Sequence, residues 1–190
     1  MSDFVTAIDG MIIRRINSIH TAIPAVVREF DPSNCVGTVL PLTRSVLSDG
    51  TVIEYPELFK VPFLFPRSTG AEIAFPVKSG DTCLLIFSEN ALDRWKGRGT
   101  LDSQKKFALS NAVAIPGLFS QPSALIKEAC ENDAVIMSSG SSKVKVSPSG
   151  IEMSGNVTIN GDLTVNGGIN TGSITTGSIN TGSCNLHDEL

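Results

Sequence analysis

The spacing of apolar residues changes character along the chain. Phe4, Ile8, Ile12, Ile16 and Ile19 recur every three or four positions, which places them on one face of a helix starting near Ser2 or Asp3. An amphipathic helix this early needs a surface to lie on, either its own domain or a neighbouring subunit. From Ile23 the pattern becomes a series of short β-type runs: AIPAVVREFD, NCVGTVLPLT, DGTVIEYPE, KVPFLFP, TGAEIAFPV and SGDTCLLIFSE. Asp31-Pro32, Asp49-Gly50 and Ser79-Gly80-Asp81 supply the turn chemistry between them. Strands at roughly ten-residue intervals predict a small all-β barrel or sandwich.

Residues 121–143, QPSALIKEACENDAVIMSSGSSK, read as a linker ending in a Gly/Ser-rich hinge. Beyond it apolar residues come in pairs two apart: Val144 and Val146, Ile151 and Met153, Val157 and Ile159, Leu163 and Val165. Five-residue units then begin at Ile169, Ile174, Ile179 and Cys184. A spacing of two is strand spacing, and the glycines mark corners. One copy of so short a set of strands can neither bury its apolar stripe nor pair its edges. Three identical chains wound about one axis do both, with backbone pairing between chains. Val157, Ile159, Leu163, Val165, Ile169, Ile174 and Ile179 are then the axial core, and Thr, Ser and Asn form the skin. Eight units between Val144 and Cys184, each climbing about 4.8 Å, make a rod roughly 40 Å tall, longer than the roughly 30 Å hydrocarbon layer of a bilayer. That skin has no aromatic girdle, so the rod would not reside in lipid as a porin does.

Composition narrows the picture. At 41% hydrophobic and 18% charged, most of the chain is expected to fold around a packed core. The net charge is −4, with the acidic excess beyond residue 120, which argues against a nucleic-acid-binding polycation. Cys35, Cys83, Cys130 and Cys184 are widely spaced, so neither a zinc site nor a disulfide framework is suggested and free thiols are expected. The first residues place acids before the apolar run and Arg14 and Arg15 after it, the reverse of a secretory signal. The closing His187-Asp188-Glu189-Leu190 resembles an endoplasmic-reticulum retention address. It is expected to be only the point where the chain stops, because retention presupposes passage into the lumen. No apolar stretch is long enough for a membrane-spanning helix.

No phosphate-binding glycine loop, H-E-x-x-H or nucleophile-elbow motif occurs, and no enzymatic activity is expected. Glu72, Asp81, Glu89 and Asp93 are read as surface acids at turns rather than as a glycosidase pair. Trp95 beside Lys96, Arg98, Lys105 and Lys106 has the composition of a phosphate or single-strand grip. Asp93 and Asp102 interleave with those bases, so the segment is read as a solvated edge and no nucleic-acid partner is expected.

The stretch PVKSGDTCLLIFSENALDRWKGRG, followed by KKFALSNAVAIPGLFS, closely resembles the N-terminal domain of the membrane-puncturing central spike proteins of contractile-tailed phages, including Mu-like phages and pyocin-type particles. The resemblance runs from Ala22 to Phe119. Beside the helix read over 1–20 and the linker at 121–143, it implies an OB-fold-like barrel over 21–120 attached to a baseplate hub protein and an intertwined trimeric triple-stranded β-helix over 144–190. It implies a homotrimer in the tail baseplate of the virion, driven through the host outer membrane when the sheath contracts. Several such spikes end in H-x-H, so that three chains offer six imidazoles to an iron ion. Here CNLHDEL offers only His187. Three copies would fill half an octahedral shell, completed by water or Asp188, and the alternative is a plain terminus covered by a separate tip protein. The competing architecture is a trimeric fibre or adhesin whose barrel binds glycan or single-stranded nucleic acid.

Overall fold

The computed structural model describes residues 2–46, 50–97 and 106–175. They divide into a front unit, Met1–Pro122, and a rear unit, Ser123–Leu190.

The front unit opens with helix α1 (Ser2–Asn17), whose last turn carries Arg14 and Arg15, where cations complement the helix dipole. The predicted helix is present. Its own unit does not cover it: Phe4, Ile12, Ile16 and the following Ile19 all remain exposed.

Strands β1 (Ala22–Asp31), β2 (Val36–Pro41), β3 (Arg44–Val46), β4 (Val52–Glu54), β5 (Leu58–Pro62), β6 (Thr82–Phe87) and β7 (Ala112–Pro116) follow. Five of them form one sheet in the order β5-β2-β1-β6-β7, while β3 and β4 make a separate hairpin. Every neighbouring pair in the large sheet is antiparallel. Period-two alternation sends Ile23, Ala25 and Val27 of β1, Val39 of β2, and Cys83, Leu85 and Phe87 of β6 to one side, where they form the core with Phe63 and Ala114.

Two irregularities bend this sheet. The β1–β2 register slips between Val27 and Glu29, and the β2–β5 register slips between Gly37 and Val39. At the second slip Lys60 on β5 adopts a left-handed φ of 54°. Bulges of this kind sharpen twist and curl a sheet. The curl carries the chain after β5 round to β7, where Phe63 and Ala114 form a parallel bridge and the Leu64 amide donates to the Ala114 carbonyl at 2.8 Å. The result is mostly β with a curled half-barrel, compatible with the expected five-stranded, partly open OB-type barrel.

Turns are fixed by local side chains. Asp31 accepts the Ser33 amide at 2.9 Å and the Asn34 side-chain amide at 2.7 Å, closing the β1–β2 turn. Those bonds, the Asn34 contact foremost, hold its carboxyl below the usual aspartate range. Asp81 accepts the Lys78 amide at 2.7 Å, and Gly80, at φ 94°, takes a conformation that glycine adopts freely. TGAEIAFPV, expected as a strand, is irregular apart from a bridge between Arg67 and Glu72. Pro66 and Pro76 have no amide to donate, and the Ile73 amide bonds back to the Pro66 carbonyl.

The rear unit begins with helix α2 (Ala124–Glu131), whose Leu125 amide is capped by the Ser123 hydroxyl. Strands β8 (Val135–Ser139), β9 (Ser142–Ser147) and β10 (Gly150–Ser154) then pair as an antiparallel meander in the order β10-β9-β8. Both connections are two residues long, Gly140-Ser141 and Pro148-Ser149, and Gly140 has φ 59°, as tight hairpins demand. Residues 121–143, read as a linker, therefore contain a capped helix and a strand. Val144, Val146, Ile151 and Met153 pair within the chain. The triple-stranded β-helix is not visible in this single chain, and no strand is assigned among the described residues beyond Ser154.

Candidate assembly surfaces

The residues expected to line the trimer axis sit in exposed, unpaired backbone. Val157, Ile159, Leu163, Val165, Ile169 and Ile174 are all exposed, Val157 by 60% and Leu163 by 66%. Ile179, Cys184 and His187 lie outside the described residues. Among the described residues no group of His, Cys, Asp and Glu could hold a metal ion.

Immediately before this stripe the β8–β10 sheet has two unlike faces. Val135 pairs with Val146 and Val146 with Ile151; Met137 pairs with Val144 and Val144 with Met153. These six share one face, and all but the half-buried Val144 are exposed. The opposite face carries Ile136, Lys145 and Glu152 in one row and Ser138, Lys143 and Ser154 in the other. Helix α2 packs beside β8, and its Glu128 accepts from the Lys143 ammonium at 2.7 Å. That hydrogen bond holds the Glu128 carboxyl below its ordinary range and raises Lys143. Sequence reading found Val144, Val146, Ile151 and Met153 but missed Val135 and Met137. The same two-residue spacing in AVIMSS was the available signal.

The front unit has an apolar surface of another kind. Phe30 stacks edge-on against Phe63 at 5.0 Å and against Phe65 at 6.4 Å, and Phe65 meets Phe75 at 5.2 Å. With Cys35 and Trp95 these rings line a groove of about 660 Å³. Trp95, read as packed against a solvated edge, is 72% exposed at the mouth of that groove. Of its basic neighbours, Lys106 is engaged by Glu89 at 2.7 Å, which lowers the Glu89 pKa; Arg98 and Lys105 lie outside the described residues.

The four weighed carboxylates lie on separate segments: Asp81 is tied to the Lys78 amide, Glu89 to Lys106, Glu72 lies on the bridge to Arg67, and Asp93 sits in the turn that follows β6. Cys35, Cys83 and Cys130 are free thiols. Cys83 is fully buried, and burial pushes its thiol up to about 11. His20 packs against Tyr55 and Phe87, with centroids 5.5 Å away in each case, and burial lowers its pKa. Among the described residues no helix is long and apolar enough to cross a membrane.

The curled β unit is followed in sequence by a stretch of chain whose apolar residues are exposed. Residues 23–117, half of the chain, match the phage protein Gp138 N-terminal domain. The chain belongs to that family and is a phage structural protein of the baseplate type, a component of the virion tail. No curated protein matches the chain.

Proposed function

We propose that the protein is the central spike of a contractile tail baseplate: a homotrimer whose front unit attaches to a hub protein and whose rear residues form a needle that pierces the host outer membrane. The observation that carries this reading is the run of exposed apolar residues from Val157 to Ile174 at strand spacing in backbone without assigned strands. Such a run is stable in water only when other chains cover it. The glycine, serine, threonine and asparagine residues between the apolar positions give a rod whose exterior is wet and whose axis is dry. A rod of that kind is suited to being pushed through a bilayer rather than to staying in it. The chemistry of piercing is mechanical, with the driving force supplied by the sheath and the protein supplying stiffness.

Sedimentation equilibrium of the purified full chain tests the oligomer, and the expected mass is three times 20.1 kDa. Particle imaging with this chain labelled tests the position, and the expected place is on the tail axis at the distal end. A monomer, or a label at the tail periphery, refutes the reading. Exposed Trp95 beside Lys96 is the feature that favours the fibre alternative; tight binding of single-stranded nucleic acid or glycan by the full chain, lost in Trp95→Ala, would promote it.

A further inference from the structure

We infer that helix α1 and the β3–β4 hairpin form one docking surface at one end of the front unit, and that its occupant is a protein other than this chain, presenting an apolar groove with a carboxylate that meets Arg15. The inference rests on the proposed attachment to a hub protein. It adds which elements make that attachment and what they require of the partner.

The sheet delivers both elements to the same end. β2 runs antiparallel to β1, so it finishes beside the start of β1, where the Leu42 amide donates to the Pro24 carbonyl at 2.8 Å; the hairpin follows directly. Residues 18–21 join α1 to that same start. Ile16 and Ile19 accordingly line one depression of about 390 Å³ with Thr43, Arg44, Val46 and Tyr55. β1 and β7 are both antiparallel to β6, so β7 runs as β1 does, away from α1. The chain leaves the sheet at Gly117, whose amide donates to the Thr82 carbonyl, opposite Val26 of β1. The end that carries α1 and the hairpin is therefore clear of this exit and open to a partner.

Both elements are uncovered. Phe4, Val5, Met11, Ile12 and Ile16 of α1 are exposed, as are Leu42, Val46, Val52 and Ile53 on and beside the hairpin. A two-stranded hairpin is marginal in water by itself, and this one joins no other strand. At about 100° per residue, Phe4, Val5, Ile8, Met11, Ile12 and Ile16 fall in one arc of about 140°. So wide a face suits a groove better than the narrow seam of a coiled coil.

Charge selects the occupant. Arg15 falls inside the arc, between Phe4 and Ile8, and its guanidinium has no partner among the described residues. Three symmetry-related α1 helices packed face to face would gather three such cations at one level of an apolar core with nothing to neutralise them, which argues against a second copy. A membrane surface fits no better. The helix holds two Asp and two Arg, without the positive excess that draws an amphipathic helix to anionic lipid. A protein groove with a carboxylate at that depth covers the apolar arc and pairs the cation through charge-assisted hydrogen bonds.

The test supplies the full chain from a plasmid to the phage that encodes it, with the phage's own copy of the gene deleted, and measures what the purified tails contain. Arg15→Glu and Ile12→Asp are expected to sediment with the wild-type mass, to keep the near-UV melt of the front unit, and to fall below about a tenth of wild-type abundance in tails. Ile13→Ser, at a position exposed but outside the arc, is the control and should enter tails normally. With Ile16 replaced by p-benzoylphenylalanine, irradiation of assembled tails should join this chain to one other protein, identified by mass spectrometry. Where a substituted chain fails to fold, this photo-adduct decides. Normal entry of Arg15→Glu and Ile12→Asp into tails overturns the docking surface and leaves the spike standing. So does loss of the wild-type mass with the near-UV signal intact, and so does a photo-adduct of two copies of this chain, or none. Wild-type chain that is monomeric or absent from tails overturns both.

Discussion

Gly37 is the position at which one added carbon should disturb the front unit most. It lies on β2, opposite Phe30 of β1 and Val61 of β5, next to both register slips. A Cβ built there would stand 2.6 Å from the Glu29 carbonyl oxygen and 2.8 Å from Cε2 of Phe63. The first is backbone held in a sheet and cannot swing aside. The second belongs to a buried ring packed on Phe30, in the residue whose bridge to Ala114 closes the curl. Gly37→Ala would ordinarily gain about 0.4–1 kcal/mol by stiffening the unfolded chain. Overpacking of a closed site costs about 1–3 kcal/mol and here takes the larger part. For a unit of this size, the roughly 1–2.6 kcal/mol left once that gain is subtracted, at about 4 °C of melting temperature per kcal/mol, gives an expected loss of roughly 4–10 °C. All aromatic residues lie at or before Phe119, so near-UV circular dichroism of the full chain follows the front unit alone. Gly70→Ala, with nothing within 4 Å of the added carbon, is the control and should melt at or slightly above wild type. A Gly37→Ala melt within about 1 °C of wild type would refute the reasoning, because the curl would then not depend on the missing side chain.

Four further outcomes follow from the described contacts. Ser123→Ala removes the cap on the Leu125 amide and should cost about 1 kcal/mol of rear-unit stability, read by far-UV melting. Glu128 titrates below the ordinary 4.5 in the folded chain because Lys143 bonds to it; its contribution is therefore present above that value and is lost as the pH falls through the folded pKa. Denaturation between pH 7 and pH 3 should accordingly show a smaller acid loss in Glu128→Gln. Burial lowers the His20 pKa, so the unfolded chain takes up the proton first and stability should decline as the pH drops below 6.5; an NMR titration of its ring should give a midpoint under that value. Iodoacetamide at pH 8 followed by mass spectrometry should label exposed Cys130 quickly and leave Cys83, with its thiol at about 11, unmodified until the front unit unfolds.

Much of the front unit was legible because its signals are local. The four-residue recurrence of Ile8, Ile12 and Ile16 gave α1, and the β-type runs AIPAVVREFD and SGDTCLLIFSE gave β1 and β6. What could not be read was where the sheet curls, since that depends on two register slips and on the absence of a side chain at Gly37, none of which has a periodic mark. TGAEIAFPV misled because alternation alone does not secure a ladder between two prolines. Residues 121–143 present the opposite case, with α2 and β8 inside the stretch read as a linker. Ser138-Ser139-Gly140-Ser141-Ser142 has the composition of a hinge, but two residues of it form a tight turn and the rest are strand. Composition cannot separate these cases; the Val135 and Met137 pair preceding the glycine could have. For the assembly surface, the exposed apolar positions were readable as a list, whereas the bare face emerged only once cross-strand register and the seat of α2 were known.

The β8–β10 meander pairs residues that are near neighbours in sequence, through two two-residue turns. Contacts so local close quickly and need no second molecule. The repeats that follow are different: Ile169 and Ile174 begin near-identical units, so in the proposed trimer one strand could sit offset by a whole unit at little loss of contact. The meander has no such repeat, and its register is fixed by its two turns. A sheet that each chain completes alone would give the three chains of that proposed trimer a level start. The repetitive sequence that follows would not enforce one.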